Sequence, residues 1–314
     1  MNNSTCLQPS PATTVALPIL YSCLLPAGIC GNALAAWILS RKAATGRTQG
    51  IYLANLVTAN LLVCSTMPFL VAYFAAGHRW PHASAACRVT HHLGALVMHL
   101  SMYVTIAILS SMALGQHARL RTGAGLHSRA LHRRLLHAFQ RPDFAKRLCA
   151  AVWLSVLCVT AVAVTHSVQD GAPAELSTCY NIRVEAGERP AMIAGSLAIV
   201  CFFLSFVTVL WSYCSLSRHL SQIQKNTCIG EKHLIYRTVK RNILVIQMIL
   251  TVCFLPYHVF RPIFFVLLTD NDCPRLSNLV EIKNFLTCLA AAKSSLDPVI
   301  ILLLDKTFKK SLFT

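Results

Sequence analysis

From Asn242 to Phe260 the chain runs nineteen residues without a formal charge. At about 1.5 Å per residue, a helix of that length crosses a hydrocarbon core of roughly 30 Å. A helix satisfies its own backbone N–H and C=O groups, which lipid cannot do. Apolar segments of comparable length recur at roughly 16–40, 51–76, 87–117, 146–167, 191–217, 236–268 and 278–303, seven in all. Overall the chain is 55% hydrophobic and 12% charged, about half the charge of an ordinary soluble domain. The expectation is an all-α membrane protein: an N-terminal segment 1–15, a seven-transmembrane helix bundle over 16–304, and a short tail over 305–314.

The formal charge of +17 is arranged as a topology signal rather than as a nucleic-acid surface, because the basic residues do not interleave with aromatics on a polar face. They cluster between apolar runs: Arg41, Lys42 and Arg47 after the first; Arg119, Arg121, Arg129, Arg133, Arg134, Arg141, Lys146 and Arg147 after the third; Arg218, Lys225, Lys232, Arg237, Lys240 and Arg241 after the fifth; Lys306, Lys309 and Lys310 after the seventh. The positive-inside rule makes those segments cytoplasmic and puts the N-terminus outside. Met1 to Ser10 is polar without a basic start, so no cleavable signal peptide is expected. Asn2 and Asn3 each open an N-glycosylation pattern, in keeping with an outside N-terminus.

Fourteen cysteines show neither CxxC nor a His/Cys cluster at zinc spacing, so no metal and no cofactor is expected. Most lie in apolar runs as small buried hydrophobes. Cys6, Cys87, Cys179 and Cys273 fall on the oxidising side, where disulfides persist. Cys87 with Cys179, and Cys6 with Cys273, are the expected pairs; four cysteines allow three pairings, and spacing does not choose among them.

Polar groups inside the apolar runs carry the functional information. Pro256 should kink its helix near Phe254. His258 and Arg261, three apart on roughly one face, are costly against lipid and are expected to line a polar cavity. Arg261 could instead pair with Glu281, Asp270 or Asp272, or snorkel outward. Lys293 and Asp297 are spaced i,i+4 deep in the last run, where an ion pair would neutralise both. In the tail, Phe308 and Leu312 on one face and Lys306, Lys309 and Lys310 on another suit a short amphipathic helix on anionic membrane lipid.

Gly31-Asn32, Asn55 to Asn60, Trp80 before Cys87, Trp153, Cys253 to Tyr257 and Leu296-Asp297-Pro298 together resemble a rhodopsin-like G-protein-coupled receptor across nearly the whole chain. Phe254 to His258 with Arg261 further resembles the purinergic-type branch. The resemblance implies a plasma-membrane receptor that binds a small anionic ligand (nucleotide-like, lipid or carboxylate) and engages a heterotrimeric G protein. It implies ligand contacts at Tyr257, His258 and Arg261. Lys283, near the outer end of the seventh segment, offers a second positive charge. The resemblance also implies a G-protein-facing surface at Gln116, His117, Tyr213, Arg237, Lys240 and Arg241, and a sodium-pocket equivalent at Asn60, Lys293 and Asp297.

The chain departs from the family at several switch positions. Gly115-Gln116-His117 stands where the family has Asp-Arg-Tyr, Ile301 where it has tyrosine, Ser205 where a proline is common, and Asn60 where it has aspartate. Coupling is therefore expected to be weak. The alternative is a non-signalling receptor homologue that scavenges ligand or pairs with another receptor. No repeat or string of intramembrane charges suggests a transporter. Neither paired carboxylates nor a nucleophile–base set suggests an enzyme, and His91, His92 and His99 read as pocket-lining or satisfied core residues.

Overall fold

The computed structural model describes residues 9–42, 48–77, 80, 84–88, 90, 94, 96–123, 137–169, 179, 189–226, 231–267 and 273–304. Asn2, Asn3, Cys6, His91, His92, Asp270, Asp272 and the tail 305–314 lie outside these residues, and so do the expectations attached to them.

Seven long helices make up the described chain, which contains no strand. A π-helical turn, Ala12–Ala16, leads into α1, Leu17–Lys42, followed by α2, Thr48–Ala75, and α3, Leu96–Gly123. Next come α4, Pro142–Gln169, and α5, Arg189–Asn226. α6 runs from Glu231–Ile249 through a π-helical turn, Leu250–Phe254, into Leu255–Leu267, and α7 is Cys273–Leu304. Counting the described residues alone, α1, α2, α3, α5 and α6 are long and apolar enough to cross a membrane. α7 carries Glu281, Lys283, Lys293 and Asp297 along its length.

Burial orders the bundle. The most apolar stretch of α3 is 72% buried, against 22% for α5 and 17% for the first helix. α3 is thus the central post, while α5 turns Ile193, Leu197, Leu204 and Val207 outward. An outward apolar face that wide is what a lipid environment rewards.

Close approach of α1 to its neighbours depends on two glycines. A Cβ at Gly31 would sit 2.5 Å from Pro298 Cγ on α7, and one at Gly28 would sit 2.5 Å from Cys64 Sγ on α2. Small residues let helices touch backbone to backbone, as packing in lipid requires. Pro298 also lacks the N–H that would bond the Ser294 carbonyl one turn back. Asn32 Nδ2 supplies the missing donor, 2.8 Å from Ser294 O.

Near Pro256, where a kink is expected, the helical hydrogen bonding changes register. One turn before it, Leu250–Phe254 is π-helical, with the Leu255 N–H donating to Leu250 O. A π turn frees the backbone from the strict i→i−4 ladder that proline breaks, which explains its place here.

At one end of the bundle Cys87 is bonded to Cys179, with Cα atoms 5.8 Å apart. The Cys179 N–H donates to Trp80 O at 2.9 Å, and the Trp80 ring tilts against Tyr73 at 5.8 Å. α2 closes at this end with Gly77 at φ 59°, in the left-handed region. Cys273 is disulfide-bonded too, to a partner outside the described residues.

Candidate functional site

Two groups of polar side chains meet inside the bundle, and Tyr257 stands between them. The deeper group is built on α7. Lys293 and Asp297 are 3% and 0% exposed, and their side chains form an ion pair one turn apart. Asn60 of α2 donates to Asp297 Oδ2 at 2.7 Å and to Asn32 Oδ1 at 3.0 Å. Its own oxygen accepts from Lys293 Nζ at 3.1 Å, and Thr105 of α3 lies 3.4 Å from the same nitrogen. Donors and acceptors from α1, α2 and α3 thereby converge on a neutral pair. This is the arrangement that makes buried ions tolerable. Asp297 Oδ1 has no hydrogen-bond partner among the described residues.

Above this network is a cavity of about 20 Å³, lined among others by His99, Ser101, Thr105, Tyr257, Thr287 and Lys293. That is room for about one water molecule. Its roof is the 2.7 Å hydrogen bond between His99 Nε2 and the Tyr257 hydroxyl.

The second group faces α5. His258 is fully buried, stacked 3.9 Å from Phe202 of α5 and edge-on to Tyr103 of α3 at 5.7 Å. Its Nδ1 lies 2.8 Å from the Phe254 carbonyl. The Arg261 guanidinium sits 5.3 Å from the ring centres of both Tyr257 and Phe265, a cation–π arrangement. It fits against Gly195, where a Cβ would stand 3.0 Å from its nearest nitrogen.

Of the ligand residues read from the sequence, Tyr257 lines the central cavity, while His258 and Arg261 turn toward α5 and Lys283 stays half-buried on α7. Glu281, one candidate partner for Arg261, is occupied elsewhere. Its carboxylate accepts from the Ser10 N–H at 2.8 Å and the Ser10 hydroxyl at 2.7 Å. Sequence reasoning missed Tyr103, Phe202 and Gly195. The i,i+4 spacing of His99 and Tyr103 on a central apolar helix was the available signal; a lone glycine in α5 gave none.

At the opposite end of the bundle, His117 is buried beside Trp211, ring centres 5.1 Å apart. Gln116 is half-buried, with no partner for its Oε1 among the described residues. Lys240 lies 5.6 Å over the Tyr213 ring, and Arg237 and Arg241 are exposed.

A seven-helix bundle with a π turn in α6, a disulfide at one end and a polar interior is a receptor architecture, and comparison with known proteins agrees. Residues 31–114 and 129–301 match the 7 transmembrane receptor (rhodopsin family), and the chain belongs to that family. It is a multi-pass membrane protein and not an enzyme. It is 46% identical to probable G-protein coupled receptor 82 of Mus musculus over 320 residues, covering 99% of this chain and 98% of that one. The same identity holds to probable G-protein coupled receptor 82 of Homo sapiens over 319 residues, 99% and 95% of the two chains. Probable G-protein coupled receptor 34 of Pan troglodytes is 24% identical over 310 residues, 98% of this chain and 77% of that one.

The ion pair makes a stability prediction. Lys293→Met leaves the Asp297 carboxylate buried without its cation and should cost about 3–5 kcal/mol, read as a lowered thermal midpoint of the purified protein. Lys293→Met combined with Asp297→Leu should recover most of that loss, since no charge then remains buried.

Proposed function

We propose that the chain is a plasma-membrane receptor, N-terminus outside, that binds a small anionic extracellular ligand beside Tyr257, His258 and Arg261 and signals through a heterotrimeric G protein. Lys283 adds positive charge on α7. The observation that carries this reading is Arg261: it is packed between two aromatic rings against Gly195, and no carboxylate among the described residues pairs with it. A guanidinium held in place without a counter-ion is prepared to take a carboxylate or phosphate through two parallel donors. Ligand binding shifts an existing equilibrium by its differential affinity for the two states, and the outer part of α6 moves about the π turn before Pro256. Arg261→Ala should abolish stabilisation of the purified receptor by any anionic metabolite that raises the thermal midpoint of the wild type. Unchanged stabilisation refutes the site.

Two departures from the family shape this receptor. Lys293 takes the place of a sodium ion beside Asp297 and Asn60, supported by the three contacts its ammonium makes there. The thermal midpoint should therefore be the same in sodium chloride as in choline chloride of equal strength. A sodium-specific rise that disappears in Asp297→Ala overturns this.

The second departure is Gln116, a neutral amide that cannot offer a G protein the charge-assisted contacts of an arginine. Gln116→Arg should raise ligand-driven nucleotide exchange in reconstituted membranes several-fold, and equal exchange by both forms argues against a role for this position. Complete absence of exchange in both, with ligand binding retained, is the outcome that favours a scavenger or heteromer partner.

A further inference from the structure

Where α3, α5 and α6 meet, three polar atoms are buried without a hydrogen-bond partner among the described residues: His258 Nε2, the Tyr103 hydroxyl and Arg261 Nε. Such atoms are costly in an apolar surround, so their clustering calls for a polar occupant. The chemistry of each atom restricts what that occupant can be. His258 Nδ1 lies 2.8 Å from the Phe254 carbonyl. A carbonyl oxygen can only accept, so the ring proton is on Nδ1. At neutral pH an imidazole is mostly uncharged, and Nε2 is then a bare acceptor. An anionic oxygen placed there would meet a lone pair, not a donor. Arg261, three residues on, is purely a donor, and the Tyr103 hydroxyl can both donate and accept.

We infer that this corner of the bundle selects an oxyanion that carries a hydroxyl group beside its charge, such as a hydroxy acid or a polyol phosphate. The anionic oxygens face Arg261, and the hydroxyl donates to His258 Nε2 while accepting from Tyr103. The inference rests on the anionic-ligand reading proposed above and narrows it. A deoxy analogue keeps the charge contact but leaves Nε2 and the phenol unpaired, and buried sites built for a hydrogen bond discriminate strongly against ligands that lack it.

The test uses the purified full chain in lipid nanodiscs and two matched probe pairs, glycerol 3-phosphate against propyl phosphate and 2-hydroxyhexanoate against hexanoate, titrated by thermal shift. The expected result is that the hydroxylated member of at least one pair has a midpoint roughly tenfold below its deoxy partner. In His258→Phe and in Tyr103→Phe that gap should narrow. Arg261→Gln should weaken both members of the pair. Equal midpoints in the wild type overturn the hydroxyl requirement and leave the anionic reading standing, whereas no stabilisation by any of the four probes overturns both. A second readout needs no ligand: long-range ¹⁵N spectra of the histidine rings, with His258 assigned by its loss in His258→Phe, should show the proton on Nδ1. If His258→Phe does not fold, the perturbation caused by Tyr103→Phe identifies the ring. A proton on Nε2 overturns the inference.

Discussion

The bundle depends on a buried ion pair that is neutral as a unit. Lys293 and Asp297 lie one turn apart on α7, each almost completely shielded from solvent. Removing two charges from water costs several kcal/mol per ion even after relaxation, so the pair persists only where other groups complete its hydrogen bonding. Asn60 bonds both members through opposite ends of one amide, and Thr105 adds a contact from α3. Asn32 extends the network to α1 and also caps the Ser294 carbonyl that Pro298 leaves without a donor. A charge cost and a proline defect are thus met by one set of amides, and meeting them brings α1, α2, α3 and α7 into register.

Above that network the geometry is governed by the π turn in α6. A helix that spends one extra residue in a turn shifts the angular phase of everything beyond it by about 100°. Tyr257 accordingly points into the central cavity, whereas His258, the next residue, stacks on Phe202 of α5. Tyr257 joins the two regions. Its hydroxyl bonds His99 over the cavity that Lys293 floors, and its ring lies under the Arg261 guanidinium. On the functional reading proposed here, a ligand that draws on Arg261 acts next to the residue that roofs the ion-pair cavity. The coupling runs through packed contacts rather than through a long charge relay.

How much of this was legible in the sequence follows from what each feature depends on. The seven segments were readable because a lipid core imposes length and apolarity on every crossing independently of its neighbours. The Lys293 and Asp297 pairing was readable because both residues lie on one helix at a spacing fixed by helical geometry. Pro256 marked where α6 departs from a regular helix, but the π turn before it was not legible, since the choice among ways of relieving a proline depends on the neighbouring helices. Helical spacing puts His258 and Arg261 on one face of α6, but that this face meets Phe202 and Gly195 of α5 was not legible, because it depends on the neighbouring helix. Gly195 makes room for Arg261, yet a glycine in an apolar run announces nothing until its partner helix is in place.

The end of the bundle away from the Cys87–Cys179 disulfide shows how a switch can lose its charge without losing its packing. His117 is buried against Trp211, and the Gly115 position stands close to the Phe139 carbonyl, 3.3 Å from where a Cβ would be. The terminus of α3 is thereby held by ring contact and by close approach to the α3–α4 connection. Exposed cationic side chains at this end include Arg237 and Arg241 on α6, Arg218 on α5, and Arg141, Lys146 and Arg147 at the start of α4, while Lys240 rests over Tyr213. On the functional reading proposed above, a partner approaching this face meets charge on several helices, while Gln116 on α3 presents a neutral amide. On that reading the attraction is spread over α4, α5 and α6, and only the part carried on α6 varies with the position of that helix.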